Sequence, residues 1–165
     1  MGRRPAVPLA TVRRANTEDR PAIEALWREV DRVHARLQPG FFRLAGGSPR
    51  TNTFLMDALH DQDEIVLLAI ADGAAVGLVH AQIYDTPATP TLKPCRRAHI
   101  EDLVVTRSWR RRGLGRQLMA AAASWARANR AQQIVLTVWE GNLAARRFYD
   151  ALGYRDVSRT LKLDL

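Results

Sequence analysis

The 165 residues amount to one domain, long enough to bury about 70% of the surface its unfolded chain would expose. Hydrophobic residues make up 47% and charged residues 25%, ordinary globular usage that excludes disordered and fibrous classes. The formal charge is +8 and all but two of the 25 basic residues are arginine, the planar partner of phosphate, so an anionic partner is expected, although scattered arginines are equally well read as solvated surface.

Residues 1–8, basic and carrying two prolines, read as a flexible lead-in to a single domain over 9–165. Leu9 to Arg14 is a short strand candidate, and Thr17-Glu18-Asp19 has the capping oxygen and acidic first turn of a helix start. From Pro21 to Leu37 the positions Ile23, Leu26, Trp27, Val30, Val33 and Leu37 recur at helical spacing, and Pro39-Gly40 ends the run. Phe41 to His60 reads as irregular or short helix, with Gly46 to Pro49 as a loop. Ile65–Ala71 is a continuous apolar run, hence a buried strand; Asp72-Gly73 is a hairpin turn and Ala75–Tyr84 the returning strand. Asp85–Ala98, with three prolines, reads as a loop. Then follow a strand at Ile100–Val105, a helix striped by Leu114, Leu118, Ala122 and Trp125, a strand at Ile134–Val138, a helix at Leu143–Leu152 stopped by Gly153, and an alternating strand at Val157–Leu163. The order is that of an α/β fold with a mixed sheet flanked by helices.

Cys95 is the lone cysteine, so no intrachain disulfide can form and a reducing compartment fits. No apolar run approaches the roughly 18 residues of a membrane span, and no metal-ligand set stands out; a cytoplasmic protein without a membrane partner is the default expectation.

The sharpest chemical feature is Arg110-Arg111-Arg112-Gly113-Leu114-Gly115, placed between a strand and a helix. Glycines admit a ligand close to the backbone, and a helix N-terminus offers unpaired N–H groups with partial positive charge. A dinucleotide fingerprint would need glycine where Leu118 stands, and a P-loop would need Gly-Lys-Ser/Thr. On these six residues alone, a basic loop with an ordinary glycine turn is as good a reading as a diphosphate cradle.

Arg110-x-x-Gly113-x-Gly115 resembles the coenzyme-binding motif of the GNAT acetyltransferases, and His99 to Val105 resembles that family's central fourth strand. Downstream, Asn142, Ala144, Tyr149 and Leu152-Gly153-Tyr154 resemble its second motif, and Arg13, Ala15 and Asp19 its opening. The resemblance runs over about residues 11–165. It implies a GNAT fold, a mostly antiparallel mixed sheet of six or seven strands with about four helices, and an acetyl-CoA-dependent N-acetyltransferase.

By that resemblance, backbone groups of Leu103 and Val105 hold the pantetheine arm like an added strand, with a bulge in the strand opening the cleft. The N–H of Val104 or its neighbour stabilises the thioester oxygen, and Arg110, Arg111, Arg112, Gly113, Leu114 and Gly115 take the pyrophosphate. Arg116 and Arg146 are further phosphate contacts or solvated helix faces, and Asn142 is a helix N-cap, a pantetheine partner or both. Tyr149 stands where the family places its general acid; a core aromatic is the other reading, and the one that suits Phe148. An alkylammonium must lose a proton before it attacks, and Glu101 is the candidate base, against a plain salt-bridge carboxylate; His99 is its rival. Asp102 should face away from Glu101 unless a bulge intervenes. The pair Glu101-Asp102 resembles the polyamine-acetylating branch, so Glu101, Asp102 and His99 are candidate acceptor contacts, and a small diamine- or polyamine-like primary amine is the expected partner. Peptide, lysine or aminoglycoside acceptors remain open, although Thr137 stands where some protein-acetylating relatives carry Glu. Trp27, Trp109 and Trp139 read as packing residues.

Two readings of other classes compete. The +8 charge could serve nucleic acid, but no recognition helix, zinc site or aromatic-lined sheet motif is visible. An acyl-CoA-binding module without catalysis would not need both Glu101 and Tyr149. A homodimer is the base-rate expectation.

Overall fold

A computed structural model describes residues 10–44 and 52–163; the expected lead-in, Leu9 and the loop Gly46 to Pro49 lie outside the described residues. Strand β1 (Thr11–Arg14) leads into helix α1 (Arg20–Leu37) through a short turn at Thr17–Asp19. Here the capping oxygen belongs to Asn16, which accepts from Glu18 N–H while Asp19 accepts from Asn16 N–H, a reciprocal box. Asp19 is itself gripped by both terminal nitrogens of Arg13, each at 2.7 Å, which explains the Arg13–Asp19 spacing as a clamp between β1 and α1. The remaining elements are α2 (Asn52–His60), β2 (Glu64–Ala71), β3 (Ala74–Thr86), β4 (Cys95–Val105), α3 (Leu114–Ala128), β5 (Gln133–Leu136) and α4 (Leu143–Asp150).

The strands form one sheet in the order β1-β2-β3-β4-β5, antiparallel except for the parallel pair β4–β5. Both faces are covered, which is why β2 reads as an unbroken apolar run. Its Val66 and Leu68 pack with Ile23, Leu26 and Trp27 of α1 and Leu55 of α2, whereas Leu67 and Ala69 pack with Leu118, Met119 and Ala122 of α3. Asp72 and Gly73 both take positive φ, 49° and 76°, as a tight hairpin turn requires.

Two expectations need correction. Among the described residues the sheet has five strands, not six or seven: Val157–Leu163 forms no strand, and Val157 and Leu161 are 88% and 90% exposed. Alternation supplies a strand with a face, but only a neighbouring edge supplies its hydrogen bonds. Conversely, both ends of the expected loop at Asp85–Ala98 are strand, since β3 runs to Thr86 and β4 begins at Cys95. Its polar composition hid it; the Arg96 guanidinium pins this end of the ladder by bonding Asp63, Asp85 and the Asn129 carbonyl.

Candidate active site

The site begins with an irregularity in β4. His80 of β3 pairs with Asp102 and Ala81 with Ile100, so Glu101 has no partner across the ladder. The extra residue resets the strand's phase: Ile100, Leu103 and Val105 all pack on the α3 side. Asp102 and Val104 therefore fall on the α1 side, and the Glu101 and Asp102 carboxylates line one cleft instead of opposite faces.

The β5 ladder ends at the same place. Its last parallel pair is Ile100 with Leu136, so β4 continues to Val105 without a partner on that edge. Thr106 N–H donates to Val76 O, toward β3. Backbone groups along a strand alternate sides, so those of Val104 also face β3, and those of Leu103 and Val105 face the open edge. The N–H directed into the cleft is accordingly that of Leu103, the neighbour, and not that of Val104. The outward carbonyl of Val105 accepts from Arg110 Nε at 2.8 Å.

Glu101 is gathered by its surroundings. His99 Nδ1 lies 2.8 Å from its Oε1, and the Tyr84 hydroxyl lies 3.2 Å from the same oxygen and 2.7 Å from Gln82 Oε1. The hydrogen bond to His99 lowers the pKa of Glu101; burial opposes this, and Tyr84 and the charge of His80 add to the lowering. Glu101 is therefore an ionised carboxylate at neutral pH. His80 is 1% exposed and lies between two carboxylates, with Nε2 3.0 Å from Glu64 Oε2 and Nδ1 3.7 Å from Asp102 Oδ2. Burial alone would depress its pKa, but Asp102 and Glu64 outweigh it and hold the imidazole above its ordinary value.

Beyond β4 the chain enters α3 through a left-handed turn. Arg111 has φ 64° and Gly113, the N-cap of α3, φ 83°; no side chain caps this helix end. The first-turn N–H groups of α3 are thus left for an external acceptor, and alternating left-handed residues are the geometry of anion-binding backbone nests. Gly115 is small for another reason: a Cβ there would come within 3.2 Å of the Phe148 ring, so α3 and α4 approach closely at this turn. Most of the nearby arginines are already engaged. Arg110 bonds Val105 and lies 3.9 Å from Glu29, Arg112 stacks on Trp109 at 4.6 Å, Arg116 reaches the Ala151 carbonyl and Arg146 bonds Glu140.

Helix α4 brings Tyr149 to the cleft that Glu101, Asp102, Leu103 and Asn142 line. Its ring contacts Phe148 at 5.2 Å and Tyr154 at 5.5 Å. Burial raises its pKa well above the ordinary tyrosine value, with Tyr154 and Asp102 adding to the rise, so the phenol stays protonated throughout the neutral range. Asn142 caps α4, its Oδ1 accepting from Ala145 N–H at 3.2 Å, and also lines the cleft. A protonated phenol and an ionised carboxylate thus line one cleft, beside the strand edge that β5 leaves unpaired.

Sequence reasoning missed His80, Tyr84 and His34. His80 and Tyr84 sit inside a strand read from its apolar positions, and His34 lies on a helix read from its buried stripe; no local motif marks any of them. Among the described residues no group of His, Cys, Asp and Glu is disposed to hold a metal, and no helix is long and apolar enough to cross a membrane.

Residues 27–154 match the family model described as the acetyltransferase (GNAT) family. Over 145 residues the chain is 28% identical to an uncharacterized N-acetyltransferase of Bacillus subtilis, YhfO, covering 88% of this chain and 89% of that protein. The crystal structure of a mutant of the BH1408 protein of Bacillus halodurans superposes with a TM-score of 0.89 at 25% identity, covering 94% of this chain and 99% of that one. The aminoglycoside N-acetyltransferase AAC(6')-Iy in complex with CoA shares the fold, with a TM-score of 0.70 at 18% identity over 94% of this chain and 98% of that one.

Proposed function

The chain belongs to the GNAT family of N-acetyltransferases, and from that premise we propose that it transfers an acetyl group from acetyl-CoA to the primary amine of a small molecule by direct attack in a ternary complex. The observation that carries this reading is continuity. One strand, β4, presents an unpaired edge that ends at the left-handed turn and uncapped N-terminus of α3, and Tyr149 faces the cleft beside that edge.

The residues present fit the coenzyme. The amides of Gly113, Leu114, Gly115 and Arg116 would take the pyrophosphate, with Arg111 adding charge, and the outward groups of Leu103 and Val105 would hold the pantetheine. Arg110 would have to release Val105 O for that carbonyl to serve. When bound, the coenzyme supplies an acetyl group activated as a thioester. The chain does the rest. Leu103 N–H points to where negative charge would develop on the carbonyl oxygen. Glu101 and Asp102 draw a cationic amine into the cleft. Glu101, ionised and held by His99, accepts the amine's proton directly or through water; its lowered pKa makes it a stronger attractor than a base. Tyr149, kept protonated, returns a proton to the sulfur.

The aminoglycoside acetyltransferase meta-AAC0020, which shares the fold, has been crystallised in complex with sisomicin; for this chain the acidic pair supports a primary amine without selecting a sugar. Acetyl-CoA at 100 times its Kd should stabilise the protein by about 2.7 kcal/mol, read as a rise in melting temperature, and free thiol should appear when an amine is added. An unchanged melting curve at millimolar acetyl-CoA would remove the reading.

A further inference from the structure

Besides its carboxylates the cleft carries an aromatic ring, and this is what Trp139, read from the sequence as packing, contributes. Trp139 lies in the turn between β5 and α4, half-buried, and lines the cleft together with Val30, His34 and Val138. Two rings from the segment after α1 close on it: Phe41 at 5.1 Å and Phe42 at 5.3 Å, the latter edge-on. Phe42 in turn stacks on His34 at 5.0 Å and 25°. Rings from three separate segments thus form one bracket, of which His34 and Trp139 line the cleft and Phe42 contacts both.

Resting on the reading that this cleft takes a primary amine, we propose that the bracket of His34, Phe42 and Trp139 selects acceptors whose amino group is carried on an apolar or aromatic body: arylalkylamines and alkyl monoamines. The argument is complementarity. Among the described residues lining the cleft the carboxylates are Glu101 and Asp102, adjacent on β4, so they serve one ammonium. The second charge of a diamine would find no third carboxylate among the described lining residues, where Val30, His34, Thr137, Val138 and Trp139 stand. A polar group buried there without a partner costs about 1–3 kcal/mol, a penalty of roughly 5- to 150-fold in affinity per group. An aryl or alkyl body meets no such penalty, gains area against the rings, and stacks edge-to-face as Phe42 does on Trp139. The net +8 of the chain also disfavours a polycation at long range while the local carboxylates attract a single cation. The diamine- or polyamine-like acceptor suggested by the Glu101-Asp102 resemblance is therefore replaced by a monoamine.

The test compares thiol release from acetyl-CoA with 2-phenylethylamine, hexylamine, ethanolamine, spermidine and an aminoglycoside, using the full chain and its W139A, W139F and F42A variants. Expected are kcat/KM values at least tenfold higher for phenylethylamine and hexylamine than for spermidine, ethanolamine or the aminoglycoside. W139A should lower the two preferred values by about 10- to 100-fold through KM, W139F should restore most of the loss, and turnover of ethanolamine should move less than threefold. If W139A unfolds, F42A gives the same split, and the acetyl-CoA melting shift certifies that either variant is folded. Spermidine or the aminoglycoside as best acceptor, a uniform loss across the panel in the variants, or no turnover of any amine despite an acetyl-CoA shift would each overturn the proposal. Absence of the acetyl-CoA shift itself would instead overturn the underlying activity.

Discussion

Replacing Gly113 by alanine isolates what the turn before α3 does. A Cβ at this position meets nothing within 4 Å, so the substitution adds no clash and its cost is conformational. Holding a non-glycine residue at φ 83° costs about 1–2 kcal/mol, from which the stiffer unfolded chain of alanine returns about 0.4–1. The net loss is on the order of 1 kcal/mol, or about 2–4 °C in melting temperature for a domain this size. Gly73 makes the matched control. It has φ 76°, equally open surroundings, and sits in the β2–β3 hairpin. Gly73→Ala and Gly113→Ala should therefore lose similar stability by urea or thermal unfolding. They should part on addition of acetyl-CoA. The Gly113 variant adds its methyl at the N-cap of α3, and a tenfold weaker affinity would shrink the ligand-induced stabilisation by about 1.4 kcal/mol. Gly73→Ala should respond as the parent does. Equal acetyl-CoA shifts in all three proteins would show that the diphosphate does not lie on this turn.

Three further outcomes are expected. Tyr149→Phe removes the protonated phenol from the cleft and should lower kcat by about 10²- to 10⁴-fold while the acetyl-CoA melting shift stays; unchanged turnover would strip Tyr149 of the acid role. Leu118, 0% exposed under the sheet, should cost about 2–5 kcal/mol when cut to alanine, measured by urea unfolding. His80, whose pKa is raised in the folded state, stabilises the fold fully below its ordinary value of 6.5 and loses that contribution as pH rises through the folded value. The stability gap between parent and His80→Gln, followed by denaturant melts from pH 5 to 9, should narrow with rising pH; a gap that widened would reverse that sign.

The elements that were legible in the sequence are those with a local cause. The α1 stripe, the buried run of β2, the Asp72-Gly73 turn and the glycine at the α3 entry each follow from periodicity or from a backbone demand that a single residue type meets. What was not legible depends on partners distant in sequence. The β3–β4 hairpin reaches into the proline-rich segment because its backbone groups pair and Arg96 ties its end to Asp63, Asp85 and Asn129. The final segment, Val157–Leu163, has the alternation but no edge beside it. The positions of Glu101 and Asp102 on one side of β4 depend on a single unpaired residue, and alternation read along the strand cannot reveal where the register slips.

The arginines show how little composition alone says of the geometry that meets an anion. An excess of guanidinium groups suggests an anion held by formal charge. Near the α3 turn, however, Arg110, Arg112, Arg116 and Arg146 are directed at a carbonyl, a ring, a helix end and a carboxylate of the chain itself. Arg116 links the start of α3 to the end of α4, whereas the contacts of the other three with Val105, Trp109 and Glu140 are local in the chain. Among them lies a turn with two left-handed residues and a helix whose first amides have no side-chain cap. Fixed N–H groups keep their geometry without the side-chain ordering that a long guanidinium arm must undergo, and they act at short range where salt screens least. On the proposed reading the fixed part of the diphosphate site is thus backbone, with Gly113 holding the turn, and the positive side chains add charge around it.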